Sequence, residues 1–408
     1  MKPREERVGT KYRLIWDEAN IRATIFKVKE HSDGRILAEV KFETTRENIP
    51  PHIQHTQLNL LSSQSKKSLA KELEEIYPIG NWYIIIEQLS VKTVELYRKG
   101  EPVIELTNSI ENLNEPSYLI EPFIYEKQPN LLYGEGGTCK SYLALFFALI
   151  CQEGLQEVPG ASLKAKKANV LYLDYESTRE EMERRLVLLS RGLGIPDARI
   201  KYRECRLPLI DEIDVIEEIV LENRIDFVII DSIGVAAGGG SLNEAQTATE
   251  FYSALRRLGA TSLLISHIAK DSDKKPSPFG SVYWRNLTRN EWYIRRSSNE
   301  DEDRILLGLF HQKNNLGKLM PPRGFAFDFN GDEIVITEQD IRNIDEFIEH
   351  LSLKDKIVKL LKSEGKLGIK EIAEALEVSQ THIRVVLNRY KGKLFVKMGD
   401  KWGLLVQG

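Results

Sequence analysis

Leu131-Leu132-Tyr133-Gly134-Glu135-Gly136-Gly137-Thr138-Cys139-Lys140-Ser141, followed by the apolar run from Tyr142 to Ile150, decides the fold of this chain. A short apolar segment enters a glycine-dense loop, and Lys-Ser then opens a helix that reads as buried. That is the order of parts in a phosphate-binding loop. Glycines at 134, 136 and 137 let the backbone curl so that several N–H groups face one anion. The helix from Lys140 adds free N–H groups and the positive end of its dipole. In this pattern Gly134, Glu135, Gly136, Gly137, Thr138 and Cys139 wrap the phosphates of ATP. Lys140 reaches the β- and γ-phosphates, and the Ser141 hydroxyl holds Mg²⁺. Cys139 departs from the pattern, because it stands where the second defining glycine is expected. The plain alternative is an ordinary glycine-rich turn, and the rest of the chain has to decide between the two.

A chain of 408 residues implies two or three domains, and 42% hydrophobic with 29% charged residues is an ordinary soluble composition. Three cysteines (Cys139, Cys151 and Cys205) without CxxC spacing are too few for a disulfide framework and point to a reducing cytoplasm. The start, Met1-Lys-Pro-Arg-Glu-Glu, has no apolar core of a signal peptide. The longest apolar run, Leu143–Cys151, is about half of a membrane span. A soluble cytoplasmic protein with no membrane partner is expected.

Tyr12–Trp16, Ile21–Val28 and Arg35–Phe42 read as strands, with a turn at Ser32-Asp33-Gly34. After Pro50-Pro51 the spacing becomes helical over Ser65–Ile76 and Trp82–Lys99. Residues 1–115 therefore form a β-then-α module, in which His31, His52 and His55 read as solvated loop histidines. From Leu131 onward apolar runs alternate with helical stretches, which predicts a mostly parallel sheet with helices on its faces. Its strands are Leu131–Tyr133, Asn169–Leu173, Phe227–Ile230 and Ser262–Ser266. Ile305–Phe310, Phe325–Phe329 and Ile334–Ile336 extend it as antiparallel strands.

Ligands bind beyond the C-terminal ends of parallel strands, and there the informative residues stand: Asp174-Tyr175-Glu176, Asp231-Ser232 and Ser266-His267. A carboxylate behind an all-apolar strand is costly to bury unless it meets a cation or water. Asp231 thus fits a Mg²⁺-binding role beside Ser141. Glu176 fits the group that orients and deprotonates an attacking water. His267 fits a sensor of the γ-phosphate. The plain alternatives are a turn cap for Asp231, a cap of the helix Ser177–Leu189 for Glu176, and an edge histidine at 267.

Taken together, GEGGTCKS, LYLDYES, FVIIDS, LLISHIAK and then Gly280-Ser281, Arg289 and Trp292 resemble the RecA-like P-loop ATPases. The resemblance covers about 130–330 and is greatest to the RepA/DnaB-type hexameric helicases, in the AAA-family form of phages and mobile elements. It implies an α/β core over 116–345, a catalytic role for Glu176 and a metal role for Asp231. His311-Gln312-Lys313-Asn314-Asn315-Leu316-Gly317 is similar to the family's Lys-x-Arg-x-x-Gly motif, whose cations touch a neighbour's γ-phosphate. Lys313 matches the lysine, while Asn315 stands in place of the arginine, so that Lys313, Arg289 or Arg295 would have to substitute. The loops Ala236–Gln246 and Asp271–Phe279 correspond to those lining the central channel, with Lys274 and Lys275 as contacts to single-stranded DNA. Solvated surface loops are the plain alternative.

Over 346–408, helical spacing at Leu353–Ser363, Gly368–Leu376 and Ser379–Tyr390 is followed by a hairpin, Leu394–Lys397 and Trp402–Val406. Three helices and a hairpin are the order of a winged helix-turn-helix. Ile383, Val386, Leu387 and Tyr390 would face the core, leaving Thr381, Arg384, Asn388 and Lys391 to enter a groove of duplex DNA. Residues 351–408 hold twelve Lys/Arg against six Asp/Glu, a net of +6 on a chain of net −4. The remaining 350 residues therefore carry −10. A basic end on an acidic body favours nucleic acid there, although such modules also dock proteins.

These readings predict an ATPase that acts as a DNA-associated motor, of the replicative helicase or loader type, assembled as a hexameric ring or a filament. A second reading, an ATP-gated DNA-binding regulator or replication initiator with little hydrolysis, draws on Cys139 and Asn315.

Overall fold

Alternation of apolar and polar residues shapes the first unit, Met1–Leu113, into a meander of β1 (Arg4–Val8), β2 (Lys11–Trp16), β3 (Ile21–Glu30), β4 (Ile36–Thr44) and β5 (His52–Asn59). The computed structural model describes every residue except 1, 48–49, 101–102, 108–115, 239–241, 269–276, 279, 281, 299–302, 342–343, 349–350 and 406–408. The five strands pair antiparallel in chain order. Ile36, Ala38, Val40 and Phe42 of β4 point inward, onto α1 (Ser63–Ile76) and α2 (Trp82–Lys99), whose Leu69, Leu73, Ile85 and Leu89 complete the core. The other face carries ion pairs such as Arg22–Glu43 and Lys41–Glu43. His52 and His55 are not loop histidines: both lie on β5, where the His55 ring packs edge-on against Phe26. Beyond α2, residues 103–107 adopt neither helix nor strand, and Val103, Ile104 and Leu106 are 100%, 72% and 88% exposed.

The second unit, Asn114–Gly408, opens with β6 (Tyr118–Glu121) and β7 (Ile124–Tyr125) and reaches the central strand β8 (Pro129–Gly134). The apolar run that follows is α3 (Lys140–Glu153), whose residues Leu143–Cys151 are all buried. The chain continues through β9 (Lys164–Ala165), β10 (Val170–Asp174), α4 (Arg179–Gly192), β11 (Lys201–Glu204), α5 (Leu209–Glu222) and β12 (Phe227–Asp231). Next come α6 (Ile233–Ala236), α7 (Ala245–Arg257), β13 (Thr261–His267), α8 (Val282–Leu287) and β14 (Asn290–Arg296). Three long strands close this part: β15 (Arg304–Asn314), β16 (Arg323–Phe329) and β17 (Ile334–Gln339).

One sheet runs β11-β10-β12-β13-β8-β14-β15-β16-β17. It is parallel from β11 to β14 and antiparallel thereafter. Both faces are covered. Leu132, Tyr172, Ile229 and Ile265 pack on the α3 side. Leu131, Leu173, Ile230 and Leu264 pack on the α5 and α7 side. Burial on both faces is why the strands read as unbroken apolar runs. The expected mixed sheet is present, with β11 and β14 as parallel members that the apolar-run reading passed over.

After the short α9 (Asp345–Ile348), α10 (Leu353–Glu364), β18 (Leu367–Gly368), α11 (Ile369–Ala375) and α12 (Gln380–Arg389) lead into β19 (Phe395–Met398) and β20 (Lys401–Leu404). Ile357, Ile372, Ile383, Leu387, Phe395 and Trp402 form a separate small core there. Phe347 and Leu351 instead pack with the sheet's α5–α7 side.

Candidate nucleotide site

β8 has to end in glycine. A Cβ on Gly134 would lie 2.4 Å from the carbonyl oxygen of Ile294 on β14. Past it, Gly137 takes φ +73°, and Cys139 takes φ 53°, ψ 27°, the left-handed region that glycine fills without strain. Cys139 therefore departs from the pattern in residue type but keeps the conformation it demands. Burial pushes its thiol pKa up, so little thiolate forms at neutral pH.

Lys140 is buried and folded back over its own loop. Its Nζ donates to Gly134 O (3.1 Å), Glu135 O (2.5 Å) and Thr138 Oγ1 (3.2 Å). The Thr138 hydroxyl in turn donates to Glu135 O at 2.8 Å. Burial lowers the lysine pKa to about 8, against the opposing pull of Asp231 and Glu176. An ammonium held on carbonyl oxygens can exchange them for phosphate oxygens without leaving the loop.

Strand register brings the other groups to the same edge: Asp174 pairs with Asp231 across β10 and β12, and His267 with Gly134 across β13 and β8. Asp231 is buried and accepts from Tyr172 Oη at 2.7 Å and from the Ser141 hydroxyl. Burial pushes its carboxyl pKa up despite those two donors. Glu176 follows Asp174 on a turn pinned by Tyr175 N–H donating to Asp231 O at 2.7 Å. It does not cap α4. That position belongs to Thr178, whose Oγ1 accepts from Glu181 N at 3.3 Å. The Glu176 carboxylate accepts from the Ser232 hydroxyl and lies 3.6 Å from His267 Nε2. His267, together with Ser232, holds its pKa below the ordinary glutamate value.

Lys140, Ser141, Glu176, Asp231 and His267 line one cleft of about 230 Å³ with Tyr142, Ile265 and Arg185. Arg185 was not singled out from the sequence. Its guanidinium lies 4.9 Å over the Tyr142 ring and reaches Ser177 Oγ at 3.4 Å. The signal was available, since a cap at Thr178 places 181 and 185 one turn apart on a single helix face. Ser141 and Asp231 meet as one hydroxyl and one carboxylate, which fits Mg²⁺ held mainly by phosphates and water. No cluster of three or more His, Cys, Asp or Glu able to hold a metal occurs among the described residues.

The structure does not bring Lys313 to this cleft. Its Nζ donates to Arg285 O (2.5 Å), Asn286 O (3.2 Å) and Thr288 O (2.7 Å), closing the C-terminal end of α8. Asn315 N–H donates to Arg289 O at 2.9 Å, so Arg289, an exposed residue, is its neighbour across the strand pair. Lys274 and Lys275 lie outside the described residues. Thr381, Arg384, Asn388 and Lys391 are all exposed on or just after α12, opposite the buried Ile383 and Leu387.

No helix among the described residues is long and apolar enough to cross a membrane. No curated protein matches the chain. Residues 102–273, the stretch that holds the glycine-rich loop, Glu176, Asp231 and His267, match the family model of an AAA domain, and this part of the chain is a nucleotide-binding domain of ATPase type.

Proposed function

We propose that this protein is an ATP-hydrolysing, DNA-associated motor of the helicase or loader type, with a RecA-like core, working as a ring or filament of identical subunits. One observation carries the reading: Lys140, Ser141, Glu176, Asp231 and His267 converge on one cleft at the C-terminal edge of a parallel sheet. Lys140 moves from the loop carbonyls to the β- and γ-phosphates. Ser141 and Asp231 would hold Mg²⁺, which would supply charge neutralisation on those phosphates. Glu176, whose carboxyl pKa His267 and Ser232 hold below the ordinary glutamate value, takes the proton of the attacking water. His267, in contact with Glu176, links the cleft to the chain that follows β13.

The missing arginine at Asn315 has a substitute beside it. Arg289 presents an exposed guanidinium at the adjacent position, and we assign it the role of stabilising charge on a neighbouring subunit's γ-phosphate. The winged-helix reading of the C-terminal segment rests on its helix–helix–helix–hairpin order and the exposed Arg384, Asn388 and Lys391. Its basic balance supports contact with DNA.

The test is ATP turnover with and without single-stranded DNA, together with particle mass. Turnover that DNA stimulates, that Lys140→Ala abolishes, and that accompanies ATP-dependent assembly is expected. Arg289→Ala should lower turnover by about 10³-fold or more. Mixing it with Lys140→Ala should restore part of the activity, because each variant supplies what the other lacks. A monomer with slow, DNA-indifferent turnover overturns the motor. If Glu176→Gln also responds to ATP and DNA as the wild type does, the non-hydrolysing regulator takes its place.

A further inference from the structure

Asp174 stands behind the cleft, outside its lining and outside the chemistry assigned above. It is fully buried at the end of β10, directly across from Asp231. A third carboxylate beside Asp231 and Glu176 is electrostatically unfavourable, and its charge opposes ionisation of Asp231. Its hydrogen bonds explain its presence. Oδ1 accepts from Glu176 N at 3.0 Å and from Ser177 N at 2.9 Å, while Oδ2 accepts from Tyr202 Oη at 3.2 Å. The main-chain oxygen of Asp174 also accepts from Cys205 N at 2.8 Å.

We propose that Asp174 is a positioning residue for hydrolysis: its side chain fixes the main chain at Glu176 and Ser177, and Tyr202 on the edge strand fixes Asp174. This rests on the ATPase reading of the same cleft. A side-chain oxygen that accepts the N–H two residues on is a standard way to set a tight turn. Here the turn carries the carboxylate that must meet the water. Among the described residues no other group accepts from the N–H groups of Glu176 and Ser177, so deleting Oδ1 releases both.

The role needs an oxygen, not a charge. An asparagine keeps Oδ1 as acceptor, and its amide can donate to a Tyr202 hydroxyl turned round to accept. In Asp174→Ala, turnover should fall about 100-fold, as expected for misplacement of a reacting group by about 1 Å, with nucleotide affinity little changed. Asp174→Asn should recover most of that loss. Hydrogen exchange gives a readout independent of turnover: the Glu176 and Ser177 amides should exchange about tenfold faster in Asp174→Ala and at the wild-type rate in Asp174→Asn. Tyr202→Phe, which frees only Oδ2, should lower kcat severalfold at constant KM, and it keeps the test open if Asp174→Ala does not fold.

Asp174→Asn as impaired as Asp174→Ala would overturn the proposal, because the charge would then be at work. Unchanged amide exchange in Asp174→Ala would overturn it equally. A wild type that binds ATP and never hydrolyses it removes the ATPase reading together with this role, and that failure is visible before any variant is made.

Discussion

Cys139 shows how one residue can break a sequence pattern and still satisfy the geometry behind it. At φ 53° its Cβ is in a region that costs a non-glycine residue about 1–2 kcal/mol. Against that, its partly buried side chain packs on the α3-side core. Cys139→Gly should therefore fold at least as stably as the wild type and bind nucleotide no worse. Cys139→Val, β-branched in the same conformation, should lose about 2 kcal/mol relative to Cys139→Gly. Urea denaturation of the three proteins checks the order. His311 is a second residue whose state the fold decides. Its Nδ1 accepts from Met320 N at 2.9 Å and its Nε2 meets Asn290 Oδ1 at 2.8 Å, an arrangement that requires neutral imidazole. Burial depresses its pKa from 6.5 to about 4. The stability this contributes is full above pH 6.5 and is lost as pH falls toward about 4. Unfolding free energies measured between those limits should decline, and should decline less in His311→Asn.

Among the elements, strands with an unbroken apolar run were legible in the sequence and those without one were not. Val170–Asp174 and Phe227–Asp231 have no exposed residue, so their apolar runs could belong only to central strands. β11, Lys201–Glu204, is an edge strand of mainly charged residues with no such run to find. β14 was hidden by its polar start: Asn290 and Glu291 are buried by tertiary partners, Arg285 for the carboxylate and Phe123 O for the amide, which no local pattern encodes. β5 was misread because His52, Gln54, His55 and Gln57 make it look polar, while Ile53 and Leu58 alone anchor it. The cleft was legible for the same reason as the central strands, since its residues follow apolar runs. Arg185, arriving from a helix, carried no such marker. Elements also constrain one another through close approach. A Cβ on Gly192 near the end of α4 would lie 1.9 Å from Ile334 O on β17. Gly192→Ala should therefore destabilise the protein by about 1–3 kcal/mol despite alanine's better helix propensity, as read from the urea midpoint.

On the scale of the whole molecule, the chain divides its work by position. The site lies on the parallel half of one sheet, and Arg289 and Asn315 lie where that half meets the antiparallel strands. The basic balance is confined to a C-terminal segment with its own small core. The first unit, Met1–Leu113, holds none of the cleft residues. Its last described stretch leaves Val103, Ile104 and Leu106 open to solvent without regular structure, which is how a protease with an apolar preference meets its substrate. Brief chymotrypsin treatment should cut after Leu106 ahead of the many apolar residues held in strands and helices. Mass spectrometry would identify the pieces. The larger one, retaining Gly134–Ser141, Glu176, Asp231 and His267, should still bind nucleotide, making limited digestion a route to separate what the two units do.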